Sequence, residues 1–586
     1  MSDNQTVTNI EVLPNEILIE CFQYLDALQI FSSFDQLNSR FNELIRRTPL
    51  YVDFRNFSPS LCQQICEAML LDPTMKEYIY SLHLSNKDTG MRIESFRRMF
   101  ALEEFSRLQS LTLIGVNQLS YEILMLMLAS MTSLTCFHLK DSNIDLDEIV
   151  SSLHRSIIQI ITLPRLPKDL TLLGHFASLR SFTIDTCNAW QLIQVLNAIP
   201  TLKYLQINYL SREVAESDKI NLKKFTHSLR HLVINKTTFK VCDIKMIIAH
   251  TPNLNRLTLF ADFIYDLFEC QKWERLFHTY LSHLKVFQFC FQFNHKGYQS
   301  NVEERLQAFH NYFQRYVHSR FIESMLSCDK AMICTVPYAF ATFELYSGMN
   351  RYHELAIDHQ NMFSNVTQLT IHQNSMKTDE RYSSFSFLRS ERWSFVREYM
   401  LGPLKANDIL SMVKNFSHVK YLDVSHVFKF ESPSVLVEIL RETPRVSSLT
   451  ISFDTVNSSL NDDELCQYLK RMIRNLHITK LWNFLRLRHD DIQLKFCEVF
   501  SNLDQLTCTV QKTCQMIFLL THLPKLLRAQ FIVTEWNPYI DISSLNTCLR
   551  ESDIHVDIVY GEDKPQQITF FIDREMTDNS TTSSTQ

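Results

Sequence analysis

The chain has 586 residues, a formal net charge of −6, 45% hydrophobic and 21% charged residues. That length exceeds one ordinary hydrophobic core and implies several domains or one elongated repeat array. The balance is that of an ordered globular protein, with no basic excess to suit nucleic acid or anionic lipid. The seven glycines (Gly90, Gly115, Gly174, Gly297, Gly348, Gly402 and Gly561) are so dispersed that no two lie within twenty residues of each other. This excludes the clustered glycines of a dinucleotide fingerprint, a P-loop or a kinase-type loop. Fifteen cysteines contain no C-x-x-C; the closest pair is Cys62/Cys66, and Cys508/Cys514 is six residues apart. Such spacing reads as scattered thiols in a reducing compartment. Residues 1–9 are polar and read as a disordered N-terminus without a secretory leader. No run of about 18 uncharged apolar residues occurs. The expectation is a soluble protein of the cytoplasm, the nucleus or both, with no membrane or nucleic-acid partner.

Residues 10–50 read as three short helices. Pro14 and Glu16 suit a helix start, proline because its missing N–H is not needed there and glutamate because it faces the positive dipole end. Ile17, Leu18, Cys21, Phe22 and Leu25 then recur at helical spacing. Leu28, Ile30, Phe31 and Phe34 make a second apolar stripe, and Leu37, Phe41, Leu44 and Ile45 a third, closed by Pro49. About forty residues cannot bury that much apolar surface internally, so part of it should face a partner or the next domain. The pattern Leu13-Pro14-x-Glu16-Ile17-Leu18-x-x-x-Phe22-x-Tyr24-Leu25-Asp26, ending in Asn38-Ser39-Arg40-Phe41-Asn42-x-Leu44-Ile45, resembles an F-box. The stretch from Asp26 to Phe41 is one residue longer than the usual pattern. The resemblance implies docking to a Skp-type adaptor, and through it to a cullin, by Leu13, Pro14, Glu16, Ile17, Leu18, Phe22 and Leu25.

Residues 51–78 read as a helical linker. Beyond them a six-residue motif recurs, with large apolar residues at its positions 1, 4 and 6. Its copies begin at Ile79, Leu108, Leu134, Ile158, Leu179, Leu202, Leu229, Leu254 and Leu284, and again at Val366, Val419, Val446, Ile473 and Leu503. The steps up to Leu284 are 29, 26, 24, 21, 23, 27, 25 and 30 residues. That is close to the period of leucine-rich repeats, about 20–29 residues. Two residues before the first apolar position stands Pro200, Pro252, Pro444 or Pro524, or else a serine or threonine such as Ser106, Thr132 or Ser417. Proline there ends the preceding helix. Helical patterns lie between the motifs at 121–131, 190–199, 241–250, 407–416 and 435–443. The sequence resembles the leucine-rich repeat family, which implies an α/β solenoid over 79–574 with parallel strands lining a concave face. The family's buried asparagine, three residues after the third apolar position, is replaced here by Val116, Ser142, Cys187, Leu210, Thr237 or Asp262. The period fails over about 290–363, which is rich in aromatic residues, and over 378–404, which carries Arg381, Arg389, Arg392 and Arg397. Residues 575–586 read as a disordered tail.

Catalytic chemistry finds little support. His555 and Asp557 have the spacing of an iron-oxygenase triad but lie on one face of an alternating strand. Asn461-Asp462-Asp463-Glu464 lacks the alternation of a calcium loop and reads as the acidic start of a helix. No H-E-x-x-H and no G-x-S-x-G occurs. The expectation is a non-enzymatic protein without cofactor or metal. As the F-box and repeats imply, it would be a substrate receptor of a Skp–cullin–F-box ubiquitin ligase. The alternative is a leucine-rich-repeat scaffold for protein–protein interaction with no ligase role. For the protein target, the outward strand positions Tyr204, His231 and Arg256 occupy equivalent places in three consecutive repeats. They are the expected contacts, with the aromatic segment 289–346 beside them.

Overall fold

The computed structural model of the chain describes residues 10–25, 27–34, 37–56, 59–86, 93–153, 157–211, 228–262, 270–294, 304, 306–309, 311–312, 321–326, 330–351, 362–373, 403–413, 416–479, 490–510, 512–533, 549, 555–560 and 567–573. It divides into two compact units, Met1–Cys187 with Gln191–Leu205, and Asn188–Trp190 with Gln206–Gln586. Both are α/β solenoids of leucine-rich-repeat type.

The first unit opens on a 3-10 turn at Ile10–Val12 and three helices, α1 (Asn15–Phe22), α2 (Ala27–Phe34) and α3 (Ser39–Arg47). The parallel ladder then starts earlier than the sequence indicated. Leu50–Asp53, read as the junction of the 10–50 segment with the linker, is its first strand β1, and Pro59–Leu71 is the helix that returns the chain to β2 (Ile79–Ser85). The next strands are β3 (Ser110–Ile114), β4 (Cys136–Lys140), β5 (Ile160–Leu163) and β6 (Ser181–Asn188), each parallel to the one before. Parallel neighbours require a crossover of a dozen residues or more, and the period of the motif provides it. Register stacks like on like: Leu82 pairs with Leu111, Leu111 with Phe137, Phe137 with Ile161 and Ile161 with Phe182. All five are fully buried. In every motif of both units all three apolar positions are buried, except Leu284, which is half-buried.

β7 (Tyr204–Ser211) contains the point where the chain passes from one unit to the other. In the second unit β8 (His231–Thr237), β9 (Arg256–Asp262) and β10 (Val286–Asn294) run parallel. The aromatic segment then departs from the repeat. β11 (Phe321–Leu326) and β12 (Lys330–Val336) form an antiparallel pair, β12 pairs antiparallel with β10, and the short β14 (Asn350–Arg351) pairs with β11. A separate sheet begins at β13 (Thr342–Tyr346) and continues in parallel through β15 (Gln368–His372), β16 (Tyr421–His426), β17 (Ser448–Ser452), β18 (Asn475–Thr479), β19 (Gln505–Val510) and β20 (Arg528–Val533). An antiparallel pair, β21 (His555–Tyr560) and β22 (Gln567–Asp573), closes it on β20. The single continuous array expected over 79–574 is therefore two hydrogen-bonded sheets, with the break where the aromatic residues gather.

The apolar core does not break with the ladder. Tyr338, 1% exposed, packs on Phe340, Phe343 and Phe363, and its hydroxyl donates to the carbonyl of Thr342 at 3.2 Å. Phe340 also meets Phe260 of β9 edge-on, with ring centroids 5.4 Å apart. Phe291, Phe309, Tyr338, Phe340, Phe343 and Tyr346 are all buried. These six aromatics of the segment expected to help hold a target turn inward.

The missing asparagine ladder has a partial substitute. The hydroxyl of Ser142 accepts from the N–H of Val116 at 3.0 Å and donates to the carbonyl of Lys140 at 2.9 Å. The hydroxyl of Thr237 donates to the carbonyl of Leu210 at 3.1 Å and accepts from the N–H of Phe239 at 3.2 Å. One hydroxyl thus satisfies a backbone group in the preceding repeat and one in its own turn, which buried backbone requires.

Candidate docking surface

Helix α1 has eight residues and is apolar on more than one side. Leu18 and Phe22, four residues apart, face inward and are fully buried. Phe22 meets Phe34 at 5.0 Å between ring centroids, and Phe34 stacks on Phe41 at 5.5 Å, so one aromatic row ties α1, α2 and α3 together. Leu18 and Phe22 are core residues and present no surface, which corrects their placement among docking contacts. Leu25 is half-buried. Leu13, Pro14, Glu16 and Ile17 are exposed, Leu13 at 36% and Ile17 at 43%. Beside them in sequence stand exposed apolar residues outside the expected docking set: Ile10, Val12 at 80%, Tyr24 at 84% and Leu37 at 56%. Helical spacing carried part of that signal, because Ile17 and Tyr24 lie seven residues apart, on the side of α1 away from Leu18 and Phe22.

Arg40 of α3 sets the position of this apolar rim. Its guanidinium donates to the carbonyls of Glu11 and Leu13 and, at 2.8 Å, to Oδ1 of Asn15. Asn38 assists: its Nδ2 donates to Glu11 at 3.1 Å, while its Oδ1 caps α3 by accepting from the N–H of Phe41 at 3.0 Å. One planar cation thus grips two carbonyls of the turn before α1 and the first side chain of α1, a task that suits the fixed fork of arginine. Arg40→Ala is expected to loosen residues 10–14 by roughly 1–2 kcal/mol, the value of charge-assisted hydrogen bonds open to solvent competition. Amide exchange at Leu13 should accelerate more than exchange within α3; equal change at both sites would contradict the clamp.

No family model matches the chain, and no curated protein matches it. Among solved structures, it resembles a chain of the crystal structure of the Rad7 and Elc1 complex in yeast, at 12% identity and a TM-score of 0.25, covering 80% of this chain and 83% of that one. A score that low does not equate the two folds.

The strand positions proposed for a target lie on the outward side of the sheet. Tyr204 heads β7 in the first unit; His231 and Arg256 head β8 and β9 in the second, where they are register partners. Tyr204 and His231 are half-buried and Arg256 is exposed. Burial, and then the charge of Arg256, holds the His231 pKa below its usual value; burial raises that of Tyr204.

In the first unit His83 of β2 has its Nδ1 3.7 Å from a carboxylate oxygen of Asp53. Burial pushes its pKa down to about 4, against the attraction of Asp53. The unfolded chain, with a histidine pKa near 6.5, binds more protons than the fold between those values. Stability from this site is therefore complete above about pH 6.5 and falls as pH drops toward 4. Between pH 7 and 5 the wild type is expected to lose more melting temperature than His83→Gln; parallel curves would contradict this.

Among the described residues no group of three His, Cys, Asp or Glu could hold a metal ion, and no helix is long and apolar enough to cross a membrane. The described cysteines are free thiols. The acidic run at 461–464 begins a helix, with Asp462 as its cap accepting from the N–H of Leu465 at 2.8 Å. Asp557 and His555 lie on β21, paired with β22. Arg381, Arg389, Arg392 and Arg397 lie outside the described residues.

Proposed function

We propose that the chain is a non-catalytic substrate receptor of a Skp–cullin–F-box ubiquitin ligase. The observation that carries this reading is the apolar rim at the N-terminus. Ile10, Val12, Leu13, Ile17, Tyr24 and Leu37 are exposed within one stretch of 28 residues, while the three helices behind them have their own aromatic core. Exposed apolar groups concentrated on so small an element mark an interaction site, and the sequence pattern around them is the one that docks a Skp-type adaptor in the F-box family. The adaptor would connect the chain to a cullin. Outward strand positions, among them His231 and Arg256 of the second unit, would hold a protein target, and transfer to its lysines would follow from raised effective concentration. The full chain co-expressed with a Skp-type adaptor should purify as a stoichiometric complex. Recovery of the chain alone, folded and without adaptor, favours the scaffold reading and overturns this one.

A further inference from the structure

Where the second sheet begins, three flat side chains stand side by side on neighbouring strands. Tyr346 of β13 pairs in register with His372 of β15, and His372 with His426 of β16. Their rings stack. The Tyr346 and His372 centroids lie 4.8 Å apart at an interplanar angle of 12°, and those of His372 and His426 lie 4.6 Å apart at 24°. These distances are the spacing of neighbouring strands, about 4.7–4.9 Å. The backbone ladder thus holds the two imidazoles against each other. Both also line a groove of about 410 Å³, with Gln373, Ser425, Phe428 and Thr479.

Charged groups face His372 from each strand packed around it. From β13, Glu344 Oε2 lies 3.8 Å from its Nε2, and the same oxygen accepts from the Tyr346 hydroxyl. From β12, Lys330 Nζ donates to that hydroxyl and stands 3.9 Å from the centre of the Tyr346 ring. From β16 come His426 and Asp423. The Asp423 carboxylate accepts from the Ser425 N–H at 2.9 Å and the Ser425 hydroxyl at 2.7 Å, and it acts on His477 of β18 as well. Burial, foremost, holds the His372 pKa below its usual value; Glu344 and Asp423 oppose this, and His426 and Lys330 add to it. The Nε2 atom of His372 is buried and makes no hydrogen bond among the described residues.

We propose that the His372–His426 stack is a proton-operated clasp on this groove, closed at neutral pH and opened by acid. Rings this close take up protons as a pair, not singly. The first proton is accommodated, because His372 Nε2 can close on Glu344 from 3.8 Å to about 2.8 Å and form a charge-assisted hydrogen bond. The second is not. Two imidazolium rings at strand spacing repel, and they cannot separate while their strands stay in register. The strand ends therefore part. They do so on the side of His426, which is exposed, and the ladder already carries an irregularity between Thr370 and His372. Leu369 and Leu422, register partners and fully buried, stay together below it. The clasp requires neither adaptor nor target and goes beyond the receptor reading.

The test uses the full chain with histidine labelled at Cε1, titrated by NMR on both sides of the ordinary histidine value of about 6.5. Amide exchange over 421–428 is followed beside it by mass spectrometry, corrected for the intrinsic pH dependence of exchange. His372, identified by its loss in His372→Gln, is expected to titrate below the ordinary value. His426→Gln should move that titration up by about one pH unit, the scale of two unit charges about 5 Å apart in a partly wetted site. Glu344→Gln, whose amide oxygen can still accept from Tyr346, should move it down. Exchange over 421–428 should rise about tenfold at the acid end in the wild type, the population change that one unit of coupling allows, and stay level in His426→Gln. It should stay level in His372→Gln too, which decides the matter if the first variant misfolds. A His372 titration unmoved by His426→Gln, exchange that is level in the wild type, or a rise of equal size in the glutamine variants would each overturn the clasp.

Discussion

Alanine at both Leu13 and Pro14 is expected to weaken capture of a Skp-type adaptor at least about tenfold, while the melting of the chain stays as it was. Burying an aliphatic anchor against a partner contributes about 1.5–3 kcal/mol, and tenfold in affinity is about 1.4 kcal/mol. Loss of Leu13 alone is thus enough, and Pro14 adds its own contact. Neither side chain belongs to the core: Leu13 is 36% exposed and Pro14 is exposed. Pro14 is the N-cap of α1, with φ −57° and ψ 151°, angles open to alanine. Phe22→Ala is the contrasting variant. Phe22 is fully buried against Phe34, and truncating a buried phenylalanine costs about 3–5 kcal/mol. It should also lose the adaptor, but with a lowered melting temperature. Adaptor pull-down and circular dichroism on both variants separate docking from folding. Undiminished capture by the Leu13 and Pro14 pair would remove those residues from the docking site.

The repeat was legible because position and residue type coincide. A parallel strand buried on one side needs apolar residues at fixed places, and the triplets from Ile79-Leu82-Leu84 to Leu503-Leu506-Cys508 meet that need almost without exception. Two copies escaped. Leu526-Ala529-Phe531 has a small residue in its middle, although Pro524 stands in the right place before it; Ala529 takes the register position of Leu506 in β19. Phe340-Phe343-Leu345 lies inside the aromatic segment, where too many apolar residues hide a period. Phe343 nonetheless pairs with Leu369 as the first strand of a new sheet. The antiparallel insertion of β11 and β12 was not legible, because alternation alone does not tell which neighbour a strand will choose. The docking motif showed the opposite weakness. It gave Leu18 and Phe22 the same standing as Leu13 and Ile17, since a short helix that is apolar on more than one side does not declare which side faces inward. Arg40 was present in the motif, but only its reach to the carbonyls of Glu11 and Leu13 reveals its use.

Cutting the chain before Leu254 is expected to yield two fragments that aggregate. The cut falls in the second unit between β8 and β9, which are register partners from His231 with Arg256 to Ile234 with Leu259. Each repeat buries its apolar side only against its neighbours. Separation bares Leu232 and Ile234 on one piece and Leu254, Leu257 and Leu259 on the other, all buried in the intact chain. Five such side chains represent on the order of 10 kcal/mol of lost burial, comparable with the whole stability of an ordinary domain. The open strand edges add unpaired N–H and C=O groups that invite pairing with other chains. At the far ends, α2 packs against β1, and β20 is covered by β22, with β21 as the outer strand. The cut gives each fragment a new raw edge, at β8 on one and β9 on the other, and aggregation should proceed through it. Light scattering of the separate fragments measures it, and two soluble fragments with cooperative melts would contradict it. The two raw ends are complementary, so refolding both fragments together should restore a soluble species that neither gives alone.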